Sequence, residues 1–187
     1  AANTYYAGAD ALFSFDDTQG ATLSGLDLGY VSYWYDVNDA SDLSDAISKA
    51  AVGYASVDIF LYVDATLYAD VDLASNVHLY VDNGATLTIA SGKTVTLSGS
   101  IDVNPGATLA IETGAELIIQ SDASLSIVGT LVNNGTITNY GNFGANAASD
   151  AALRSAIASG VTNINITSSF SLVSNLEIPD YVTVAFT

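Results

Sequence analysis

A short phrase that recurs every seven or eight residues constrains the fold of this chain more than any other feature. In this phrase a turn residue is followed by Ala and, two residues later, by Leu, as in Gly84-Ala-Thr-Leu87, Gly106-Ala-Thr-Leu109 and Gly114-Ala-Glu-Leu117. Between the turns, apolar and polar residues alternate, as in Thr86-Leu-Thr-Ile89. Alternation interrupted by Gly, Asn or Asp is typical of short, half-buried β-strands joined by tight turns.

The turns also show a longer period. Three successive intervals lead from 84 to 106, from 92 to 114 and from 99 to 122. Such a period, about 21 to 23 residues per coil, predicts a three-sided parallel solenoid, in which each strand pairs with the strand one coil away at about 4.8 Å. A β-sandwich also has short strands, but its turns are usually about 8 to 12 residues apart and follow no three-step register.

A second and much longer repeat surrounds the solenoid region. The segment 41–50 has apolar residues at helical spacing behind candidate N-cap residues, and 149–160 repeats this pattern. The strand-like segment 71–79 likewise matches 176–184. We therefore divide the chain into an N-terminal strand-rich assembly segment (1–40), a complete unit with its capping helix (41–147), and a second capping helix with the open strands of another unit (148–187).

These segments resemble a known family. The run Leu153-Arg-Ser-Ala-Ile157, followed by Ile164-Asn-Ile166 and by 176–184, is similar to the beginning of right-handed parallel β-helix (pectin-lyase-like) proteins, which include pectate lyases, polygalacturonases and many surface adhesins. The resemblance covers roughly residues 41–187. It implies an all-β, right-handed three-sided parallel β-helix with short capping α-helices, closest in character to the non-enzymatic surface, adhesin or filament-forming members.

The charge of the chain argues against several classes of partner. Its 187 residues carry 20 acidic and 3 basic side chains, a formal net charge of -17. Nucleic acids and anionic membranes are bound through fields of Lys and Arg, so neither is an expected partner. No apolar run reaches the roughly 18 residues that a membrane helix needs, so we expect no membrane insertion.

Catalytic residues are hard to assemble from this sequence, and we expect no enzyme. Lyases of the resembling family bind polyanionic pectate and use a basic residue, whereas this chain has only Lys49, Lys93 and Arg154. His78 is the single histidine and alternates with apolar residues, as an exposed strand residue would. The adjacent pair Asp16 and Asp17 has no identifiable carboxylate opposite it for general acid–base catalysis.

Other side chains suggest binding or modification. Asp70 and Asp72 are expected to point the same way from one strand, so they are candidate calcium ligands, although no required cofactor is predicted. Asn134 and Asn165 begin Asn-x-Thr acceptor sequences for glycosylation. Outward aromatic residues can cover the coils, mark an interface between copies or bind a glycan; they are Phe60, Tyr62, Tyr68 and Tyr80.

The two ends of the sequence suggest how copies meet. Residues 161–187 read as the first strands of a second solenoid, and no further coil follows them in the sequence. The N-terminal segment contains Gly20-Ala-Thr-Leu23, which is the turn phrase of the solenoid. We expect the C-terminal strands of one copy to dock on the N-terminal strands of the next, through a predicted interface of Leu12, Phe13, Phe15, Leu23, Tyr181, Val182, Val184 and Phe186.

The predicted function follows from that interface. We expect a secreted structural protein that forms an extracellular filament or a surface layer. The absence of Cys and Met, and a beginning Ala1-Ala2-Asn3 that signal cleavage beside small residues would leave, suit an extracellular or cell-surface location. Two alternatives remain: the chain is a fragment of a longer protein, or it is a carbohydrate-binding or carbohydrate-active module of a larger surface protein.

Overall fold

The computed structural model describes residues 3–7, 11–15, 32–51 and 56–186. Strands β1 (Asn3–Ala7) and β2 (Ala11–Phe15) form an antiparallel pair in which Tyr5 lies opposite Phe13. Strand β3 (Ser32–Val37) and helix α1 (Asp42–Ala50) follow. In chain order, the remaining elements are β4 Ser56–Leu61, β5 Ala65–Leu67, β6 Val71–Leu73, β7 Val77–Val81, β8 Thr86–Ile89, β9 Thr94–Leu97, β10 Ser100–Val103, β11 Thr108–Ile111, β12 Glu116–Ile119, β13 Ser124–Ile127, β14 Thr130–Asn133, β15 Thr136–Asn139, β16 Asn142–Ala147, α2 Asp150–Ala158, β17 Asn163–Ile166 and β18 Thr183–Phe186.

From β3 onward, the described strands build three parallel sheets. The first sheet has the order β18-β17-β16-β13-β10-β7-β4-β3, the second β14-β11-β8-β5 and the third β15-β12-β9-β6. Successive strands of the chain enter successive sheets, so each coil contributes one strand to every side. This confirms the predicted three-sided parallel β-helix.

The register confirms the coil period with some variation. In the second sheet Leu87 lies opposite Leu109, and Leu109 lies opposite Leu131, so the step between coils is constant. In the first sheet the step from Ile101 to Leu125 is longer, and the step from Leu125 to Phe143 is shorter. Turns of unequal length therefore give the coils a wider range of lengths than the sequence predicts.

The core is a column of aliphatic residues inside the coils. Strands β8 to β13 alternate between half-buried and fully buried positions, so every second side chain points inward. The turn phrase now has a structural meaning, because its Ala and Leu (Ala85 and Leu87, for instance) are both buried at 1% exposure. Gly84 supplies a backbone φ of +87°, which residues with a Cβ rarely adopt. At Gly99 a Cβ would collide with the carbonyl oxygens of Val77 and Ala74 in the preceding coil.

The two helices cap the solenoid as predicted. Helix α1 lies between β3 and β4, and α2 lies between β16 and β17. At both positions the coil adds a strand to the first sheet but none to the second or the third. Helix α1 buries Leu43 and Ile47, and α2 buries Leu153. The first sheet therefore continues past both helices and runs through all three segments of the predicted division.

The longer repeat is visible in the structure. Residues 65–81 form β5, β6 and β7. The offset that aligns residue 71 with residue 176 also aligns 65–81 with 170–186. In the second copy of the repeat only the last segment is a strand, β18, whereas 170–172 and 176–178 are irregular. Strands β5 and β6 pair only with β8 and β9 of the following coil, and the described residues contain no such coil after β18. A strand needs a neighbour for its backbone hydrogen bonds, which explains the difference.

Candidate functional site

An apolar cavity opens at the C-terminal end of the β-helix. It has a volume of about 650 Å³ and lies between α2 and residues 166–186. We call it the C-terminal groove; the apolar residues that line it include Leu153, Phe170, Leu172, Leu176, Ile178 and Phe186. Because folded proteins rarely expose a contiguous apolar surface without a use for it, the groove is the strongest candidate site in the described part of the chain.

The groove exposes positions that the repeat buries elsewhere. Leu172 is 51% exposed, Ile178 47% and Phe186 81%. Their counterparts in the first copy of the longer repeat, Leu67, Leu73 and Val81, are at most 4% exposed. The same sequence pattern thus becomes core when another coil covers it and surface when none does.

Strand β18 borders the groove with an open backbone edge. It pairs in parallel with β17, where Ile164 lies opposite Val184, and Thr183 donates its N–H to the carbonyl of Thr162 at 2.8 Å. On its other side no strand lies among the residues that the structure describes. Such an edge is a template on which a further strand can form.

Arg154 holds the irregular part of this end in place. Its Nε lies 3.0 Å from both carboxylate oxygens of Asp150 on α2. Its Nη1 donates to the carbonyl of Asn175 at 3.2 Å, and its Nη2 donates to that of Ser174 at 2.7 Å. The guanidinium therefore fastens the segment between 172 and 176 to the capping helix in a geometry that Arg forms more readily than Lys.

The structure brings together some of the predicted interface residues. Val184 and Phe186 line the groove, Tyr181 is 60% exposed nearby, and Val182 is partly buried against the core. The predicted N-terminal residues Leu12, Phe13 and Phe15 belong to β2. Leu23 lies outside the described residues. The use of these residues as an interface stays a prediction.

Several groove residues were missed by the sequence analysis. Leu176 and Ile178 fell within the matched segment 176–184 but were not named as interface residues, and Phe170 and Leu172 did not stand out because their alternation is short and lacks the Gly-Ala turn phrase. Extending the offset of the longer repeat backward from 176–184 would have found them, since it aligns Phe170 and Leu172 with Ala65 and Leu67. The contacts of Arg154 had no sequence signal.

Three of the outward aromatic residues, Phe60, Tyr62 and Tyr80, form a stack on the outer face of the coils, whereas Tyr68 is 76% exposed. The rings of Phe60 and Tyr80 are 4.9 Å apart and inclined by 12°, and Phe60 also stacks with Tyr62 at 6.3 Å. Burial, then the charges of Asp58 and Asp102, raise the pKa of Tyr80 above its ordinary value. Because these rings face one another, less ring surface is left on which a glycan could stack.

Carboxylates next to the first coil bind backbone groups. Asp64 accepts a hydrogen bond from the Thr86 N–H at 2.8 Å, and Asp70 accepts one from the Thr94 N–H at 3.0 Å. Both bonds tie the first coil to the second. Asp72 is exposed on β6. Within 32–51 and 56–186, no three His, Asp or Glu side chains are grouped in a way that could hold a metal ion, and a calcium site at Asp70 and Asp72 stays a prediction.

The two glycosylation acceptors differ in accessibility. Asn134 is exposed in the turn between β14 and β15. Asn165 is half-buried on β17, and its Nδ2 donates to Asn146 Oδ1 at 3.4 Å. A glycan could therefore be attached at Asn134 without disturbing a strand, whereas attachment at Asn165 would break that contact. Both acceptors stay predictions.

Of the acid–base candidates His78, Asp16 and Asp17, the structure describes His78 alone. His78 lies on β7, with its Nδ1 3.6 Å from an Asp58 carboxylate oxygen, on the half-buried outer face of the first sheet. Asp16 and Asp17 lie outside the described residues. That the chain is not an enzyme stays a prediction.

No protein-family model, curated protein or solved structure matches this chain. Among the helices that the structure describes, neither is long and apolar enough to cross a membrane.

Proposed function

We propose that this chain is a secreted structural protein whose copies join head to tail, so that strands from one copy fill the C-terminal groove of the next. The observation that carries the proposal is the exposed groove beside the open edge of β18. One further coil of β-helix would complete both features. A strand added at β18 would satisfy the backbone edge and cover the apolar side chains at once.

Association requires both apolar burial in the groove and backbone hydrogen bonds to β18. Full burial of a side chain the size of Leu172, Ile178 or Phe186 is worth about 1.5 to 3 kcal/mol. The loss of translational and rotational freedom costs about 4 to 15 kcal/mol. Because Leu172 and Ile178 are already about half buried, covering the groove recovers only part of that value and does not offset this cost alone. We therefore expect main-chain hydrogen bonds to β18 to be needed as well, at about 1 kcal/mol each.

A second copy is the occupant that fits best. The groove continues a β-helix, and the N-terminal segment of this chain carries the same turn phrase as the solenoid in Gly20-Ala-Thr-Leu23. A contact between two different ends of the molecule is heterologous, and when the copies stack along one β-helix axis it extends linearly instead of closing into a ring. Repetition of it produces a filament, or a surface layer if filaments associate side by side.

The remaining properties of the chain suit this role. Within the right-handed parallel β-helix (pectin-lyase-like) superfamily, it would belong with the non-enzymatic surface or filament-forming members. The net charge of -17 keeps rods apart in solution, and divalent cations would promote bundling of their acidic faces. Such an assembly acts outside the cell or on its surface and needs no cofactor.

Sedimentation velocity and negative-stain imaging of the purified chain test the proposal. We expect assemblies whose size grows with concentration, and Ile178→Asp should abolish them by placing a charge in the groove. The matched control is Val132→Asp, because Val132 is 42% exposed against 47% for Ile178 and lies on β14 of the second sheet, which does not contain β18. A chain that stays monomeric at micromolar concentration would contradict the proposal, and glycan binding by that monomer would favour the carbohydrate-binding alternative.

A further inference from the structure

We infer that the strand accepted by β18 is β2 of the second copy, which leaves its antiparallel partner β1 and joins the first sheet in parallel. This inference rests on the proposed head-to-tail assembly and specifies its junction. In the junction the first sheet would run without interruption from one copy into the next, in the order β17, β18, then β2 and β3 of the second copy.

The spacing of the N-terminal segment supports this arrangement. Phe15 precedes Val37 by the same number of residues as Leu87 precedes Leu109, its partner one coil away. Between β2 and β3 lies Gly20-Ala-Thr-Leu23, the same four residues that lead from β7 into β8 and from β10 into β11. Both of those passages carry the chain from the first sheet into the second. Residues 11–37 therefore have the sequence of one complete coil that begins with β2 and ends with β3.

Coil steps in the first sheet differ in length, and we take the junction register from the step between Val81 and Val103, which contains the same turn phrase and equals that between Leu87 and Leu109. One inward column runs through the sheet from Val37, which lies opposite Leu61, to Val184, which lies opposite Ile164. The neighbouring outward column runs from Asp36 to Thr183. The same coil step, taken backward from Val37 and Asp36, reaches Phe15 and Ser14. Val184 should therefore lie opposite Phe15 of the second copy, and Thr183 opposite its Ser14.

The two ends of the molecule are complementary in this arrangement. In chain order, residues 164–184 follow α2 and residues 11–37, which have the sequence of a coil, come before α1. Stacked on each other, the two coils would be enclosed between the α2 of one copy and the α1 of the next. Segments 170–172 and 176–178 would then gain the following coil that β5 and β6 have in β8 and β9.

The exchange requires β2 to give up its pairing with β1. That pairing joins the two short strands along their full length in a two-stranded hairpin, which is marginally stable in water. The larger sheet offers β2 a partner on both edges. Before assembly, the hairpin occupies one edge of β2 and so limits pairing with unrelated strands.

Cysteine cross-linking tests the predicted register, and the natural chain has no cysteine to interfere. A Ser14→Cys variant is mixed with a Thr183→Cys variant, allowed to assemble and oxidised. We expect a covalent dimer in up to about half of the assembled material, because the two variants follow one another at random and paired Cα atoms are close enough for a disulfide. The control replaces Ser14→Cys by Phe13→Cys, whose side chain would point to the other face of the strand, and should give at least a tenfold lower yield.

A locked hairpin provides the second test. Thr4 lies opposite Ser14, so a Thr4→Cys, Ser14→Cys double variant can close a disulfide between β1 and β2. We expect the oxidised protein to remain monomeric and the reduced protein to assemble. Assemblies of the cysteine variants that form without the 14–183 cross-link, or that form despite the oxidised 4–14 lock, would overturn this junction while leaving head-to-tail assembly intact. Failure of the wild-type chain to assemble would overturn the proposed function itself.

Discussion

Residues 65–81 and 170–186 have nearly the same pattern of apolar residues, yet only the first set forms a complete coil. In the first set, Leu67 and Leu73 lie in strands and are buried, because β8 and β9 pack over them. In the second, Leu172 and Ile178 are irregular and about half exposed. The comparison teaches that in a solenoid the alternating pattern specifies a strand only together with its neighbour.

The difference also shows how the open coil keeps its place. Where β5 and β6 have partner strands, 170–178 has the contacts of Arg154 with Ser174 and Asn175 and a partial apolar contact through Phe170 and Leu176. These bonds hold the segment near the geometry that a coil needs. An arriving strand would then meet a surface that is already arranged, which lowers the ordering cost of association.

Truncation of equivalent core positions should give the largest contrast. Leu73→Ala is expected to lower the free energy of unfolding by about 2 to 5 kcal/mol, because Leu73 is fully buried. Ile178→Ala should cost less than about 1 kcal/mol in the monomer, since much of that side chain already contacts water. Chemical denaturation of dilute protein measures both. Equal losses for the two variants would mean that the groove is closed in solution.

Removal of the Arg154 contacts should loosen the open coil. Arg154→Ala leaves Asp150 without its partner and frees Ser174 and Asn175, at an expected cost of about 1 to 3 kcal/mol. Limited proteolysis between 170 and 178 should accelerate accordingly. Lys49→Ala is the control, because its ion pair with Asp45 lies on the exposed face of α1 and is worth less than about 1 kcal/mol. Similar rates of proteolysis in the two variants would contradict the role of Arg154 in holding this segment.

The two capping helices differ at their N-termini. Ser149 accepts a hydrogen bond from the Ala152 N–H at 3.2 Å, whereas Ser41 makes no such cap and donates instead to Asp39. Ser149→Ala should therefore cost about 1 kcal/mol and Ser41→Ala only a few tenths. Thermal unfolding of the two variants measures the difference, and a larger loss at Ser41 would contradict it.

The smallest effect concerns a carboxylate on the outer face of the inner coils. Burial raises the pKa of Asp102, against the lowering effects of His78 and a hydrogen bond with Ser126. A raised pKa means that the folded protein binds this proton more readily than the unfolded chain, so the group destabilises the fold at neutral pH and less so in acid. Asp102→Asn should stabilise by a few tenths of a kcal/mol at neutral pH, since the site is partly solvated.

The pH dependence of that variant is the check. The gain in stability over wild type should shrink as the pH falls through the raised pKa of Asp102, where the wild-type carboxyl becomes neutral as well. Asp122→Asn, in an exposed turn, is the control and should change little. A stability gain that grows as the pH falls would contradict a raised pKa of Asp102.

The sequence predicts the β-helix well because its turn phrase repeats: each Gly-Ala-x-Leu places a corner, an inward Ala and an inward Leu, as at 84–87 and 106–109. It also predicts both capping helices from the spacing at Leu43 and Leu153. The groove was only partly predicted, because whether Leu172 and Ile178 are buried depends on a neighbour that their own pattern does not encode. The Arg154 contacts depend on long-range geometry, which the sequence does not reveal.

Hydrogen exchange measured along the chain in dilute and in assembled protein tests whether a second copy completes the open coil. We expect the amides of 65–81 to be protected in both states. The amides on the open edge of β18, and those of the segments at 170–172 and 176–178, should exchange fast in the monomer and become protected on assembly. Protection of 170–186 in the monomer equal to that of 65–81, or fast exchange of 170–186 that persists in assembled material, would contradict the claim that a second copy completes this coil.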